Sequence, residues 1–521
     1  MSRPSTCTAG RLVYIGQAND LSNMRLEIRP EDGWSNVPYV AMSHCWGGPP
    51  YMPLQLTQEN LEELKTRISF HSLHITFRHA IVATRFLPPD LNVRHIWIDS
   101  LCVIQGSRED WEIETPKMGS IYQNAVLSLA ATFGKDGKAG LFRQRDDLSL
   151  RPFIVRPDWD AKGRTFSCED RAPEQSMLVD SALGQRAWCF QEAILAPRIM
   201  HFSAQQLFWE CSTLTANEAH PQGLPTRYPF RKSFSLDTWA KHSDGPHGSP
   251  EPQPYRIWDV MVSLYTQCRL TRGTDKLVAI GSLALSLQKR LEGLDTYVAG
   301  LWKSQLPYNL VWKLLECRSG PGAYKPKDWR APSWSWASTD GQVRLDSKIS
   351  STSLAHAKVL DLRIRYKNDN IALGVTTADL QTRGPIALVD LELNYFQGLT
   401  DSSKYRMFIL RLRGAKFKDV IYQGKPLKNG SGPCRFDTRL GHLTTSPIYA
   451  LLIFSDGAVL QGLMIQRHSD RPECWERCGW FTLYEPEDRD TFLKQAAITS
   501  LEGCVCGSHD DESGEHIIVL V

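Results

Sequence analysis

Tyr39-Val40-Ala41-Met42-Ser43 runs directly into His44-Cys45-Trp46-Gly47-Gly48-Pro49-Pro50, and this junction decides how the N-terminal part of the chain is read. The largely apolar run suits a buried strand, and the glycines and prolines forbid its continuation, so a strand feeds a loop. Next, Thr57 is placed to cap a helix carrying Leu61, Leu64 and Ile68 on one face. Phe77, Ala80, Ile81 and Thr84 mark a second helix that Pro88-Pro89 stops. Arg94-His95-Ile96-Trp97-Ile98-Asp99 reads as another buried strand, ending in a carboxylate, and Val126 to Ala131 as a third. Strands alternating with helices predict a parallel sheet with helices on its faces. Ligands of such folds lie beyond the carboxyl ends of the strands, where the Cys45-Trp46-Gly47 loop and Asp99 fall.

Upstream, residues 1–37 hold two strand-like runs, Arg11 to Ile15 and Met24 to Ile28, read as a lead-in hairpin. Residues 140–180 are polar and irregular, as in an insertion. A helix from Gln185 to Leu195, stopped by Pro197, and a hairpin of Arg198 to Phe202 with Gln206 to Cys211 close a domain spanning 38–212. Residues 213–254 read as linker or insertion, 255–340 as a helical region with a Trp-rich end, and 341–521 as β-rich. No repeat is present.

Hydrophobic residues make up 42% and charged residues 22% of the 521, which favours a folded soluble protein over a disordered one. The 60 basic and 57 acidic residues are interspersed, so no field for nucleic acid arises. The N-terminus lacks the apolar stretch of a secretory signal, and the longest apolar run, Ile448 to Phe454, is too short for a membrane segment. These features predict a cytoplasmic protein whose 13 cysteines are reduced thiols.

Three Trp-bearing blocks carry a resemblance. They are Tyr39 through Gly47; Trp97-Ile98-Asp99-Ser100-Leu101-Cys102-Val103-Ile104-Gln105 with Asp110-Trp111, Glu114, Met118 and Ile121-Tyr122; and Arg186-Ala187-Trp188-Cys189-Phe190-Gln191-Glu192 with Pro197-Arg198, His201-Phe202 and Trp209-Glu210-Cys211. In order and spacing they resemble the fungal heterokaryon incompatibility (HET) domain family. Leu270-Thr271, Asp275-Lys276-Leu277, Ala299 to Trp302 and Ala331 to Ala337 resemble the tail of long members. The resemblance implies a TIR-like, flavodoxin-like parallel sheet and an effector of vegetative incompatibility and regulated cell death, acting with itself or a protein partner. Some TIR domains hydrolyse NAD, which makes a NAD glycohydrolase the implied enzyme, with NAD as substrate and no bound cofactor. A non-enzymatic scaffold and an accessory protein of a secondary-metabolite pathway are the alternatives; no GxGxxG, P-loop or HExxH supports the last.

Cleavage of NAD needs a carboxylate to bind ribose or offset charge at the anomeric carbon. By the TIR pattern of a tryptophan followed by a catalytic glutamate, Trp111 and Glu114 suggest Glu114; otherwise Asp110, Glu112 and Glu114 form a solvated helix face. Pro116 implies a kink or a helix start near Thr115. Ser43, Cys45, Trp46, Gly47, Asp99, Cys102, Gln105, Trp188, Arg186, Gln191 and Glu192 complete the expected pocket. Each has a plainer role: Asp99 as a turn cap, Trp46, Trp97 and Trp188 as core anchors rather than an aromatic wall, Arg186 and Glu192 as an ion pair. A Cys/His nucleophile drawn from His44, His95, Cys45 and Cys102 is a rival. Cys474, Cys478, Cys504, Cys506 and His509 lack zinc-finger spacing, so no metal is expected. Family members commonly carry Asp where this chain has His79, which would alter the site if that Asp orients a partner.

Overall fold

A computed structural model describes residues 7–16, 20–31, 33–34, 37–144, 153–159, 163–168, 181–224, 253–315, 326, 328–345, 353–397, 404–412, 433–436, 447–457, 459–483, 486–499, 501, 509–510 and 515–521. Two compact units divide the chain: Met1–Gly248 with Cys268–Leu270, and Ser249–Gln267 with Thr271–Val521.

In the first unit, β1 (Arg11–Tyr14), β2 (Arg25–Ile28) and β3 (Tyr39–Ser43) precede α1 (Leu61–Thr66) and α2 (Ile75–Arg85). Then follow β4 (His95–Ile98), α3 (Asp99–Cys102), α4 (Arg108–Glu114), α5 (Met118–Asn124) and β5 (Leu127–Ala130). A small hairpin, β6 (Phe153–Val155) and β7 (Phe166–Cys168), lies in the stretch expected to be irregular. After it come α6 (Ala187–Leu195), β8 (Arg198–Phe202), β9 (Leu207–Cys211) and β10 (Thr215–Asn217).

Eight strands form one sheet in the order β10-β9-β8-β5-β3-β4-β1-β2. The contacts of β3 with β4, β3 with β5 and β5 with β8 are parallel. All flanking pairs are antiparallel, so the fully parallel sheet expected from the sequence is corrected to a mixed one. The lead-in hairpin is part of this sheet, because β1 pairs with β4. β3 and β5 are buried at every position, as two-sided coverage of central strands requires. Numbered in chain order, the parallel strands lie 2-1-3-4, the doubly wound pattern whose switch point falls between the first and third, here β3 and β5.

Helix α2 buries Phe77, Ala80, Ile81 and Thr84, the stripe its spacing predicts. Helix α1 starts at Leu61 rather than after Thr57, because the Asn60 side chain accepts from the Thr57 amide at 2.8 Å and holds that turn outside the helix. Pro116 sits in a 3-10 turn, Thr115–Lys117, that joins α4 to α5 and leaves Glu114 as the last residue of α4.

In the second unit, helices Gln253–Tyr265 and Val278–Arg290 lie in the first half of the region 255–340 expected to be helical; beyond Arg290 its described residues form short strands and 3-10 turns instead. Five of its tryptophans are core: Trp258, Trp302, Trp312, Trp334 and Trp336 are fully buried, and the Trp258 and Trp336 indoles both donate to the Gly300 carbonyl, at 2.9 and 2.7 Å, whereas Trp329 is exposed. The guanidinium of Arg477 lies 3.4 Å from the Trp312 ring centroid and donates to the Trp312 carbonyl at 2.7 Å. From Ser353 on, an eleven-stranded, mostly antiparallel sheet accounts for the β-rich reading of this region. Cys504 and Cys506 lie outside the described residues.

Candidate functional site

The strand–loop junction ends β3 at Ser43, whose hydroxyl donates to Glu192 Oε2 on α6. His44 and Cys45, next in the chain, are also buried. The His44 ring stands edge-on to Phe77 at 4.9 Å, and its Nδ1 lies 3.6 Å from Asp99 Oδ1. Trp46 turns its indole N–H onto the other oxygen of Asp99, at 2.8 Å. Asp99 opens α3 directly after β4 and accepts the Ser100 amide at 2.7 Å, so it is a turn cap and a site-facing group at once. Arg186, preceding α6, donates to the His44 carbonyl at 2.6 Å. Ser43, His44, Trp46, Asp99, Arg186 and Glu192 thus meet at the carboxyl ends of β3 and β4, brought together from three separate stretches of sequence.

The electrostatics follow from burial. Removing Glu192 from water pushes its carboxyl up to about 7, the nearby Asp99 acts in the same direction, and Ser43, Arg186 and Tyr122 partly offset this. For Arg186, burial opposes the charge, but Cys189, Cys45, Asp99 and Glu192 around it outweigh burial and raise its pKa. Burial raises the Cys45 and Cys189 thiols, and it raises Cys102 to about 12, so none of these cysteines is a ready thiolate. Burial also lowers His44, favouring its neutral ring. Both His44 nitrogens and both polar atoms of the Gln191 side chain, 1% exposed, lack a hydrogen-bond partner among the described residues. Unpaired buried polar atoms are costly, and each calls for an explanation.

Beside this cluster, a small cleft of about 20 Å³, room for about one water, lies between α6 and the sheet, lined by Ser43, Ser128, Thr132, Cys189 and His201 among others. It lies at the β3–β5 switch point. Gly47 shapes its neighbourhood: φ is +76°, and a Cβ there would fall 2.6 Å from Asp136 Cβ, so only glycine lets the loop after β3 lie against the loop after β5.

The remaining expected residues divide. Glu114 is buried and tied elsewhere, accepting the Gly10 amide at 3.1 Å and the Lys117 ammonium at 2.7 Å. Asp110, one turn earlier on the same face, holds Arg11 through two bonds of 3.1 and 2.6 Å and caps the Ile104 amide. The solvated helix face expected as the alternative is therefore corrected for both carboxylates: they clamp the segment that enters β1. Glu112 pairs with Arg108. Trp111 is half-buried on α4, and Gln105 folds back onto the Val103 carbonyl at 2.8 Å. Cys102 is fully buried, with its carbonyl bound by Arg11. Trp97 packs in the core against Tyr122, while Trp188 is half-buried on α6.

His79, where the resemblance implies Asp, is a hydrogen-bond acceptor. Its Nδ1 accepts the amides of Leu141 and Phe142, at 3.0 and 3.2 Å, and its ring stacks on Phe142. The residues missed in the sequence are Thr132, His201 and Glu210; the last two stand in the third block but carried no assigned role.

The family model described as Heterokaryon incompatibility protein (HET) matches residues 39–192, from the first residue of β3 to the buried carboxylate of the site. Residues 39–192 are a HET domain. No curated protein and no solved structure matches this chain. The matched span of the HET domain contains every member of the convergent cluster, whereas β1, β2, β8, β9 and β10 lie outside it and complete its sheet. Among the described residues, no group of three or more His, Cys, Asp or Glu gathers as a metal site. No helix among them is long and apolar enough to cross a membrane.

Proposed function

We propose that this chain is an intracellular effector of fungal heterokaryon incompatibility and cell death, and that its HET domain hydrolyses a small ligand, with NAD as the candidate substrate. The observation that carries the reading is the convergence of Ser43, His44, Trp46, Asp99, Arg186 and Glu192 on strand ends beside a cleft, with Glu192 held near 7 by burial. A carboxyl poised near neutrality, next to unsatisfied buried polar groups, is the expected signature of a reactive site. The 2-1-3-4 strand order supports the TIR-like arrangement.

In this reading Glu192 and Asp99, rather than Glu114, serve the anomeric carbon. As the bond from that carbon to the nicotinamide nitrogen breaks, its electron pair leaves with nicotinamide and a carboxylate offsets the charge left on the sugar. Glu114 already spends its oxygens on Gly10 and Lys117.

Induced expression in a fungal host tests the proposal. Growth arrest by the natural chain, lost with Glu192→Gln and kept with Glu63→Ala on the exposed face of α1, is the expected result. Arrest that survives Glu192→Gln at equal protein level overturns the enzymatic reading and favours a scaffold. No arrest by the natural chain removes the effector reading.

A further inference from the structure

Opposite Ser43, the cleft wall carries a second polar array that the matched motif does not contain in full. Thr132 follows β5, and its hydroxyl oxygen lies 3.1 Å from His201 Nδ1 on β8, with the Ala130 carbonyl as a second, longer acceptor at 3.3 Å. The other ring nitrogen, Nε2, lies 3.0 Å from Glu210 Oε2 on β9. Exposures are 3%, 5% and 0%, so the array is shielded from bulk water except where Thr132 and His201 line the cleft. Its placement follows from the sheet: β5 pairs with β8 and β8 with β9, putting the three side chains in sequence across adjacent strands.

Hydroxyl, imidazole and carboxylate in line, at hydrogen-bond distances, form the arrangement that draws a proton from an alcohol or from water. A carboxylate at Nε2 fixes the tautomer that carries its proton there and leaves Nδ1 bare to accept. A sheet face covered by a helix ordinarily holds apolar side chains, yet Ser43, Ser128 and Thr132 stand on this one.

We propose that His201 is the general base of this cleft, acting through the Thr132 hydroxyl, with Glu210 as its positioning residue. The inference rests on the reading that the cleft hydrolyses its ligand. A water held by Thr132 attacks the electrophilic carbon of the ligand, and a new carbon–oxygen bond forms as the leaving group departs with its electron pair. The water's proton passes to the Thr132 oxygen while the threonine proton passes to His201 Nδ1, and Glu210 stabilises the resulting imidazolium. Deprotonation of His201 by solvent restores the array.

Two measurements on the full chain test this. Nitrogen NMR of ¹⁵N-histidine-labelled protein, with the His201 signal assigned by its loss in His201→Gln, should show a bare Nδ1 and a protonated Nε2 in the neutral ring. A neutral ring protonated at Nδ1 overturns the relay, whatever the activity. Nicotinamide release from NAD should fall about a hundredfold or more in kcat for His201→Gln, with KM little changed. It should also fall for Glu210→Gln and Thr132→Val, and return with Thr132→Ser. Unchanged kcat in folded His201→Gln overturns the assignment. If the natural chain releases no nicotinamide, the hydrolase reading fails by that result, and the tautomer separately supports or overturns the relay.

Discussion

Ser43 and Glu192, separated by 149 positions in the chain, are joined by a hydrogen bond in which the serine hydroxyl donates to a buried carboxylate. This bond links the end of β3 to α6 and partly offsets the effect of burial on Glu192. A buried carboxyl retained in place of an apolar residue costs stability, and groups that cost stability are where function is to be sought.

The pH dependence of folding should report Glu192. Below its ordinary value of 4.5 the group is protonated in the folded and unfolded chains alike. Between 4.5 and about 7 only the unfolded chain gives up its proton, so stability falls as pH rises, and above that window a constant deficit remains. That deficit is on the order of 3 kcal/mol. Glu192→Gln should therefore stabilise the protein at pH 8 and change little at pH 4.5, as read by urea unfolding at the two values. Equal effects at both would contradict the buried, neutral carboxyl.

Ser43→Ala removes a donor that favours the charged form of Glu192. The carboxyl should then titrate at higher pH than in the natural chain, measured by the infrared C=O band that disappears in Glu192→Gln. A midpoint that stays or falls would mean the hydroxyl does not donate to Glu192.

His79 accepts two amides, so a residue that can also accept should replace it. His79→Asp should be near neutral in thermal stability, whereas His79→Ala leaves the Leu141 and Phe142 amides unmet and should cost about 1–3 kcal/mol. Hydrogen exchange at these two amides should accelerate in the alanine variant alone.

Gly47→Ala combines a positive φ with a clash against Asp136. It should cost about 1–3 kcal/mol in unfolding free energy. It should also speed exchange in the loops after β3 and β5, with the second unit unchanged. A variant of natural stability would show that the two loops do not abut.

Much of this was legible in the sequence because the signals are local. Tyr39 to Ser43 and Ile96 to Ile98 are apolar runs, α2 carries a helical stripe, and both α2 and α6 end ahead of a proline. The gathering of Asp99, Arg186 and Glu192 at strand ends also followed, because parallel strands present their carboxyl ends on one edge. What escaped depends on distant partners. Nothing near Glu114 shows that Gly10, 104 positions earlier, claims its oxygen, or that a Cβ at Gly10 would stand 2.4 Å from that carboxylate. The antiparallel flanks escaped because lead-in and trailing hairpins look alike whether or not they join the central sheet. Glu210 is an alternating position in a hairpin, and its role exists only once β8 lies between it and Thr132.

The most direct test is nicotinamide release from NAD by the purified full chain, compared with Glu192→Gln and Glu114→Gln, each verified as folded by circular dichroism. The natural chain should release nicotinamide, Glu192→Gln should abolish release, and Glu114→Gln should retain it. No release by the natural chain, or loss confined to Glu114→Gln, would contradict the placement of catalysis at the Ser43–Glu192 cleft.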